Sequence, residues 1–283
     1  MSRKTGVRER GLLILEESIS RDGVKGLVKS LGGRLVFLAQ LHKLTLRDVV
    51  PVVTFHRVSK GRPADSLTCS LADFRSFCRF FADHFKVVPL NRVVQMLSNR
   101  EPFTRELAIT FDDGYRDNFE LAAPVLKELN LPATFFVTTD FIGSEIVPWW
   151  DEKQGIRFPW MTWDEVRALH VMEFEIGSHT CTHVDLGKVS ATDAWNELSN
   201  SRAKLEHQLS APISLFAYPY GRQDNMSEEN RALVKTAGYN SCCSCFGGMS
   251  SSGDDPFFML RIPISSWIRS PYFLGFELAL RRL

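Results

Sequence analysis

From Val49 onward, short runs of apolar, β-branched and aromatic residues alternate with longer stretches of helical periodicity, and this alternation limits the fold more than any other feature. The candidate strands are Val52–His56, Leu107–Phe111, Ala133–Val137, Phe174–Ile176, Leu215–Tyr218, Tyr239–Cys243 and Met259–Ile264. Helical patterns fall between them at Ser70–His84, Asn91–Leu97, Asn118–Asn130, Thr162–His170, Ala191–Leu209 and Ser227–Ala237. Strands separated by helices call for a parallel sheet, and seven such units favour closure into an α/β barrel over an open sheet. A chain of 283 residues, 44% hydrophobic and 24% charged, can build a core of that size as a soluble globular protein.

The first 48 residues read differently from residues 49–283, which divides the chain into a basic helical extension and a main domain. The extension holds Arg3, Lys4, Arg8, Arg10, Arg21, Lys25, Lys29, Arg34, Lys43 and Arg47 against Glu9, Glu16, Glu17, Asp22 and Asp48. The whole chain balances 34 Lys and Arg against 33 Asp and Glu, so no nucleic-acid partner is expected and the basic surface is local. Val24–Leu46 has apolar residues at helical spacing with Lys and Arg between them, broken by Gly32-Gly33. Two short amphipathic helices are expected, either packed on the main domain or lying on an anionic membrane. The apolar stretch Leu12–Leu15 is too short for a secretory signal and acids follow it, so a cytoplasmic location is expected. No transmembrane helix is expected either, because the apolar run Leu35–Leu41 is far shorter than a span. The six cysteines do not form a spaced framework. They read as reduced thiols, and Cys242, Cys243 and Cys245, which lack CxxC pairs, as small residues on a buried strand.

In a barrel of this type the chemistry belongs where strands end and loops begin. Strand Leu107–Phe111 runs directly into Asp112-Asp113-Gly114-Tyr115, which is a good turn sequence but also places two carboxylates at a strand end. A second strand end, at Phe174–Ile176, leads into His179-Thr-Cys-Thr-His183, two imidazoles spaced so that both can meet one ion. Two His and the Asp113 carboxylate make the ligand set of an open, catalytic divalent-metal site, zinc by preference with cobalt or nickel able to substitute. Asp112 cannot readily share that ion and is free to act as a base. His56 interrupts the end of an apolar strand and Tyr218-Pro219-Tyr220-Gly221 ends another; each is also compatible with ordinary packing.

Taken in order, TFDDGY at Thr110–Tyr115 with PATFFV at Pro132–Val137, HTCTH at His179–His183 and YPYG at Tyr218–Gly221 resemble the motifs of the NodB-homology polysaccharide deacetylases, carbohydrate esterase family four. The resemblance runs from about Val49 to the C-terminus. It implies a distorted (β/α)7-type barrel, one divalent ion held by Asp113, His179 and His183, and Asp112 as general base in hydrolysis of the N-acetyl group of an amino sugar in a polysaccharide or lipid-linked glycan. Two departures matter. Phe216 stands where the family's third motif usually has an Arg that orients the base, and Arg261 at another strand end is the candidate replacement. The usual C-terminal motif carrying the general acid is absent, but Thr54-Phe-His56-Arg-Val58 is similar to the opening of the circularly permuted branch, which gives His56 the acid role. The backbone N–H of Tyr220 is the expected oxyanion donor, and Trp149, Trp150 and Trp267 are candidate walls for a sugar ring. O-deacetylation or deformylation of a sugar is the enzymatic alternative, and a non-catalytic carbohydrate-binding relative is the alternative of another class.

Overall fold

The computed structural model describes residues 24–62 and 64–281. Seven strands form the frame: β1 Val52–Phe55, β2 Glu106–Phe111, β3 Thr134–Val137, β4 Glu175–Ser178, β5 Leu215–Ala217, β6 Ser241–Cys243 and β7 Ile262–Pro263. They lie in one sheet in the order β6-β5-β4-β3-β2-β1-β7, and every pairing along it is parallel. The ends of that order are joined by a parallel bridge between Cys243 and Met259, three residues before β7, so the sheet curls into a ring. The last strand thus lies beside the first, with Ile262 opposite Val53 and Val53 opposite Ile109.

All seven expected strands are present, with bounds shifted by one to three residues. Helices α3 Leu71–His84, α4 Leu90–Asn99, α5 Ala123–Glu128, α7 Trp163–Val171, α8 Ala191–Leu209 and α9 Glu228–Thr236 connect them, α6 being a single turn at Trp149–Glu152; α10 Pro271–Ala279 follows β7. Small polar side chains start many of these helices by accepting orphan backbone N–H groups: Ser70 from Asp73, Ser190 from Asp193, Ser227 from Asn230, Ser270 from Phe273, and Thr162 in a full capping box with Glu165. The helix expected at Asn118–Asn130 is present, but its first part, Asn118–Ala122, is a π-turn that runs directly into α5. Pro124 explains the difference, because it has no N–H to give to the carbonyl four residues earlier.

The core has two parts. Outside the ring, Phe55, Phe111 and Phe135 stack across β1, β2 and β3, with the Phe111 and Phe135 centroids 4.7 Å apart, under Phe74 and Phe77 of α3. Inside it, Val52, Ala108, Phe136, Ala217 and Cys243 pack with Leu90, Val93 and Leu97 of α4. That helix lies across the amino ends of the strands, where the Leu90 N–H bonds the carboxylate of Glu175, the first residue of β4. With that end plugged, only the carboxyl ends of the strands remain for a cleft.

Ahead of the barrel the expectation is corrected. One helix, α1, covers 24–38 without interruption at Gly32-Gly33, and the break comes after Leu38, before a single turn α2 at His42–Thr45. The two glycines are a crossing point. A Cβ on Gly33 would lie 1.9 Å from the Tyr272 carbonyl oxygen and one on Gly32 2.8 Å from the Phe276 ring, so α1 sits directly against α10. The part of the basic extension before Val24 lies outside the described residues.

Candidate metal centre

The strand ends bring Asp113, His179 and His183 to one point, all buried, with a ligand atom of each within 4.8 Å of the others. Oδ1 of Asp113 stands 3.4 Å from Nε2 of His179 and 3.3 Å from Nε2 of His183. Two of the three have left-handed backbones, Asp113 at φ 74° and His183 at φ 61°, a strained conformation for residues with side chains. Gly114 follows at φ 96°, and its turn carries the chain away from the site. The Ala217 carbonyl accepts a 2.8 Å hydrogen bond from Nδ1 of His179, which fixes the tautomer that leaves Nε2 free to bind an ion. Burial alone would push the Asp113 carboxyl up, but the two facing imidazoles outweigh it and hold it well below the usual carboxylate range. Oδ1 of Asp113 is buried without a hydrogen-bond partner among the described residues. An orphaned carboxylate oxygen aimed between two imidazole nitrogens fits a divalent cation.

Asp112 lines the same cavity as those three residues but is bound elsewhere. Its two oxygens take a forked pair of bonds from Arg261, 2.8 Å from Nη1 and 2.7 Å from Nη2, with both side chains fully buried. Arg261 is fixed in turn by the Ser244 carbonyl at 2.6 Å and the Thr110 hydroxyl at 3.1 Å. Burial raises the Asp112 pKa, and the neighbouring guanidinium more than offsets it, so this carboxyl stays ionised. Phe216 is buried against Tyr218 and Tyr239, and the guanidinium reaches Asp112 from just before β7.

His56, at the end of β1, lines the same cavity as Asp112, Asp113, His179 and His183. Burial pushes its imidazole below the usual 6.5, against the pull of Asp113 and Asp112. The cavity measures about 310 Å³, and Trp149, Trp150, Trp267 and Tyr220 complete its walls. Tyr220 has φ 62°, and its hydroxyl accepts from Nε1 of Trp149 at 3.3 Å.

Other side chains at the site left little trace in the sequence. Cys245 lines the cavity, and its thiol lies in a second close group with His56 and Asp112. Burial pushes that thiol up to about 12, so it stays neutral. The reading of the three clustered cysteines as small residues on a buried strand therefore covers Cys242 and Cys243 in β6 but not Cys245. Buried Asp151 joins Arg57 and accepts from the Tyr115 hydroxyl at 3.0 Å; that hydroxyl accepts from Nε1 of Trp150 at 2.9 Å, which holds the Trp150 ring 4.7 Å from His183. Arg57 and Tyr115 lie in the motifs named above, but Asp151, in the single turn α6 and ninety-four positions from Arg57, belongs to no pattern.

The family profile described as polysaccharide deacetylase matches residues 99–242, just over half of the chain. The poly-beta-1,6-N-acetyl-D-glucosamine N-deacetylase of Staphylococcus aureus (strain N315) is 24% identical over 216 residues, covering 73% of this chain and 71% of the relative. The Bacillus subtilis (strain 168) protein YxkH is 23% identical over 218 residues, covering 76% and 71%. Among solved structures, the Streptococcus pyogenes deacetylase PplD in complex with acetate superimposes with a TM-score of 0.68 at 21% identity, over 80% of this chain and 96% of that one, which shows a shared fold.

Proposed function

Because the chain belongs to the polysaccharide deacetylase family, we propose that it hydrolyses the N-acetyl amide of an amino sugar in a polysaccharide or lipid-linked glycan precursor. The domain spanning 49–283 carries the activity. One observation supports the reading above the others: a buried Asp-His-His group, a carboxylate clamped by Arg261 and the imidazole of His56 all open into one cavity. Asp113, His179 and His183 would hold one divalent ion, with zinc the best match to this ligand set. When bound, the ion supplies Lewis acidity for the acetyl carbonyl and acidity for the attacking water.

The remaining work falls to the chain's own side chains. Asp112 keeps lone pairs toward the cavity while Arg261 holds its position and charge, so it can take the proton of the attacking water. The backbone N–H of Tyr220 donates to the oxygen on which negative charge develops. His56, protonated, donates to the sugar nitrogen as the C–N bond breaks, so that acetate and a free amine leave. Trp149, Trp150 and Trp267 form apolar walls for the sugar ring. We place this activity in the cytoplasm at the inner membrane face, a reading supported by six free cysteines and by the basic extension, residues 1–48. No helix of the described residues is long and apolar enough to cross a membrane.

The test is acetate release from a panel of N-acetylated oligosaccharides, with Asp112→Asn as the diagnostic variant. It is expected to keep its metal and lose about 100-fold or more in kcat, the scale of a positioned general base. Full activity in metal-loaded Asp112→Asn protein would assign the base elsewhere.

A further inference from the structure

We propose that the outward face of α1 and α2 docks on an anionic bilayer and brings the mouth of the cavity to the lipid surface. The inference rests on the deacetylase reading only for the substrate it puts within reach.

The inner face of α1 is fixed. Gly26 closes on Arg269, Gly33 on Tyr272 and Phe37 on Gly275 of α10, while Phe37 also packs on Phe80 at 4.8 Å and stacks on His42 at 4.1 Å. The opposite face consists of Val24, Leu27, Val28, Leu31, Leu35 and Leu38, which at 100° per residue fall within an arc of about 100°. Leu41 and Leu44 continue the apolar surface. All eight side chains are between 49% and 73% exposed, on a helix whose packing leaves it no rotation by which to hide them. A soluble monomer seldom exposes a contiguous aliphatic stripe of this kind without a partner.

Charge identifies the partner. Residues 24–47 contain five Lys and Arg and not one Asp or Glu, and Arg34, Lys43 and Arg47 are exposed. A second copy of the chain placed face to face would oppose like charges, whereas anionic headgroups complement them while the acyl region takes the leucines. The described part of α1 carries Lys25, Lys29 and Arg34 and packs along one side on α10, so it lies in the interface rather than across the bilayer. At the Val24 end of α1, Gly26 on the inner face meets Arg269, two residues from the cavity-lining Trp267, so this end of the helix lies near the cavity mouth. A substrate on a lipid carrier could therefore leave its apolar tail in the bilayer and enter the cavity with its N-acetylated sugar.

The experiment is co-sedimentation of the full chain with vesicles of phosphatidylcholine alone or mixed with phosphatidylglycerol, at low and high salt. Binding to the anionic vesicles at low salt is expected. Leu31→Glu with Leu35→Glu should lower it at least about tenfold, and each exposed base removed should lower it about fivefold. Val171→Glu, an exposed residue on α7, should leave it unchanged. Recovery of the parent in the supernatant overturns the proposal, as does a leucine variant that binds like the parent, or a dimer in sedimentation equilibrium that the leucine pair dissociates. Acetate release from a soluble N-acetylglucosamine oligomer separates the two readings: its failure in a protein that binds vesicles defeats the deacetylase assignment alone. The leucine pair should keep the soluble rate and lose at least about tenfold on a vesicle-borne, lipid-linked N-acetylated sugar; equal loss on both defeats the substrate claim.

Discussion

Replacing Arg261 with Met would remove the cation from a fully buried ion pair. The guanidinium makes two bonds to Asp112, at 2.8 and 2.7 Å, and three more to the Ser244 carbonyl and the Thr110 and Thr54 hydroxyls, with both members of the pair nearly fully buried. The carboxylate left behind is almost wholly buried, touches water only through the cavity and has lost its counterion, a situation that typically costs about 3–5 kcal/mol. Asp112→Asn leaves the reverse problem, a buried guanidinium, at similar cost. The double variant Arg261→Met/Asp112→Asn removes both charges, and what remains is a few imperfectly paired neutral groups, about 1–3 kcal/mol. The double loss should therefore fall short of the sum of the single losses by at least about 3 kcal/mol. Urea denaturation of all four proteins in chelator, so that bound metal does not enter, measures this directly, with equal m-values as the check that the unfolded states are comparable. Additive losses, or an Arg261→Met protein as stable as the parent, would refute the view that the two charges depend on each other.

Three further outcomes are expected. Asp113→Ala and His179→Ala should each abolish binding of one equivalent of zinc in equilibrium dialysis, and undiminished occupancy would remove them as ligands. For His56, which burial holds below 6.5, kcat/KM should fall as pH rises through its lowered pKa because the acid form is lost, and this limb should vanish in His56→Ala; an unchanged profile would leave His56 a packing residue. Asp117, whose Oδ2 is buried without a partner among the described residues, is pushed up to about 7, so the folded state holds a proton that the unfolded chain releases near 3.8. Its contribution to stability is present below pH 3.8 and declines by about 1.4 kcal/mol per pH unit until pH 7. Asp117→Asn should therefore gain on the parent in denaturation midpoints across that window and hold its advantage above it; a constant difference would show that the carboxyl is not so perturbed.

The barrel was legible because its evidence is periodic. Seven apolar runs bounded by capped helices survive any detail of packing, and α8 matches its expected bounds at both ends. The grouping of Asp113 with His179 and His183 was legible because these residues sit in two short segments at strand ends. Arg261 could be named only as a candidate, since its bond to Asp112 spans 149 positions and no local spacing encodes it. Asp151 illustrates the limit: its role as the acceptor that aligns Tyr115, and through it Trp150, exists only once distant loops meet. Gly32-Gly33 was misread for a related reason. Glycine signals a break when the chain is considered alone, but here it admits the close approach of α10, a neighbour some 240 residues away.

The adjacency of β7 and β1 also has a consequence in time. A chain emerging from the ribosome presents Asp113, His179 and His183, the candidate metal group, once His183 is out, but Arg261 and the strand that closes the ring against Val53 come only near the end of synthesis. Until then Asp112 has no counterion, β1 is an open parallel edge, and the inner faces of β1 and β6 lack the segment that joins them. Ring closure is thus a contact of nearly maximal sequence separation, the kind that forms slowly and leaves an incomplete sheet exposed to mispairing. A nascent or C-terminally shortened chain can be expected to present the Asp113, His179 and His183 group before the Asp112–Arg261 pair is complete, so zinc uptake, if these residues bind it as proposed, would report an early stage of folding and regain of acetate release the last one.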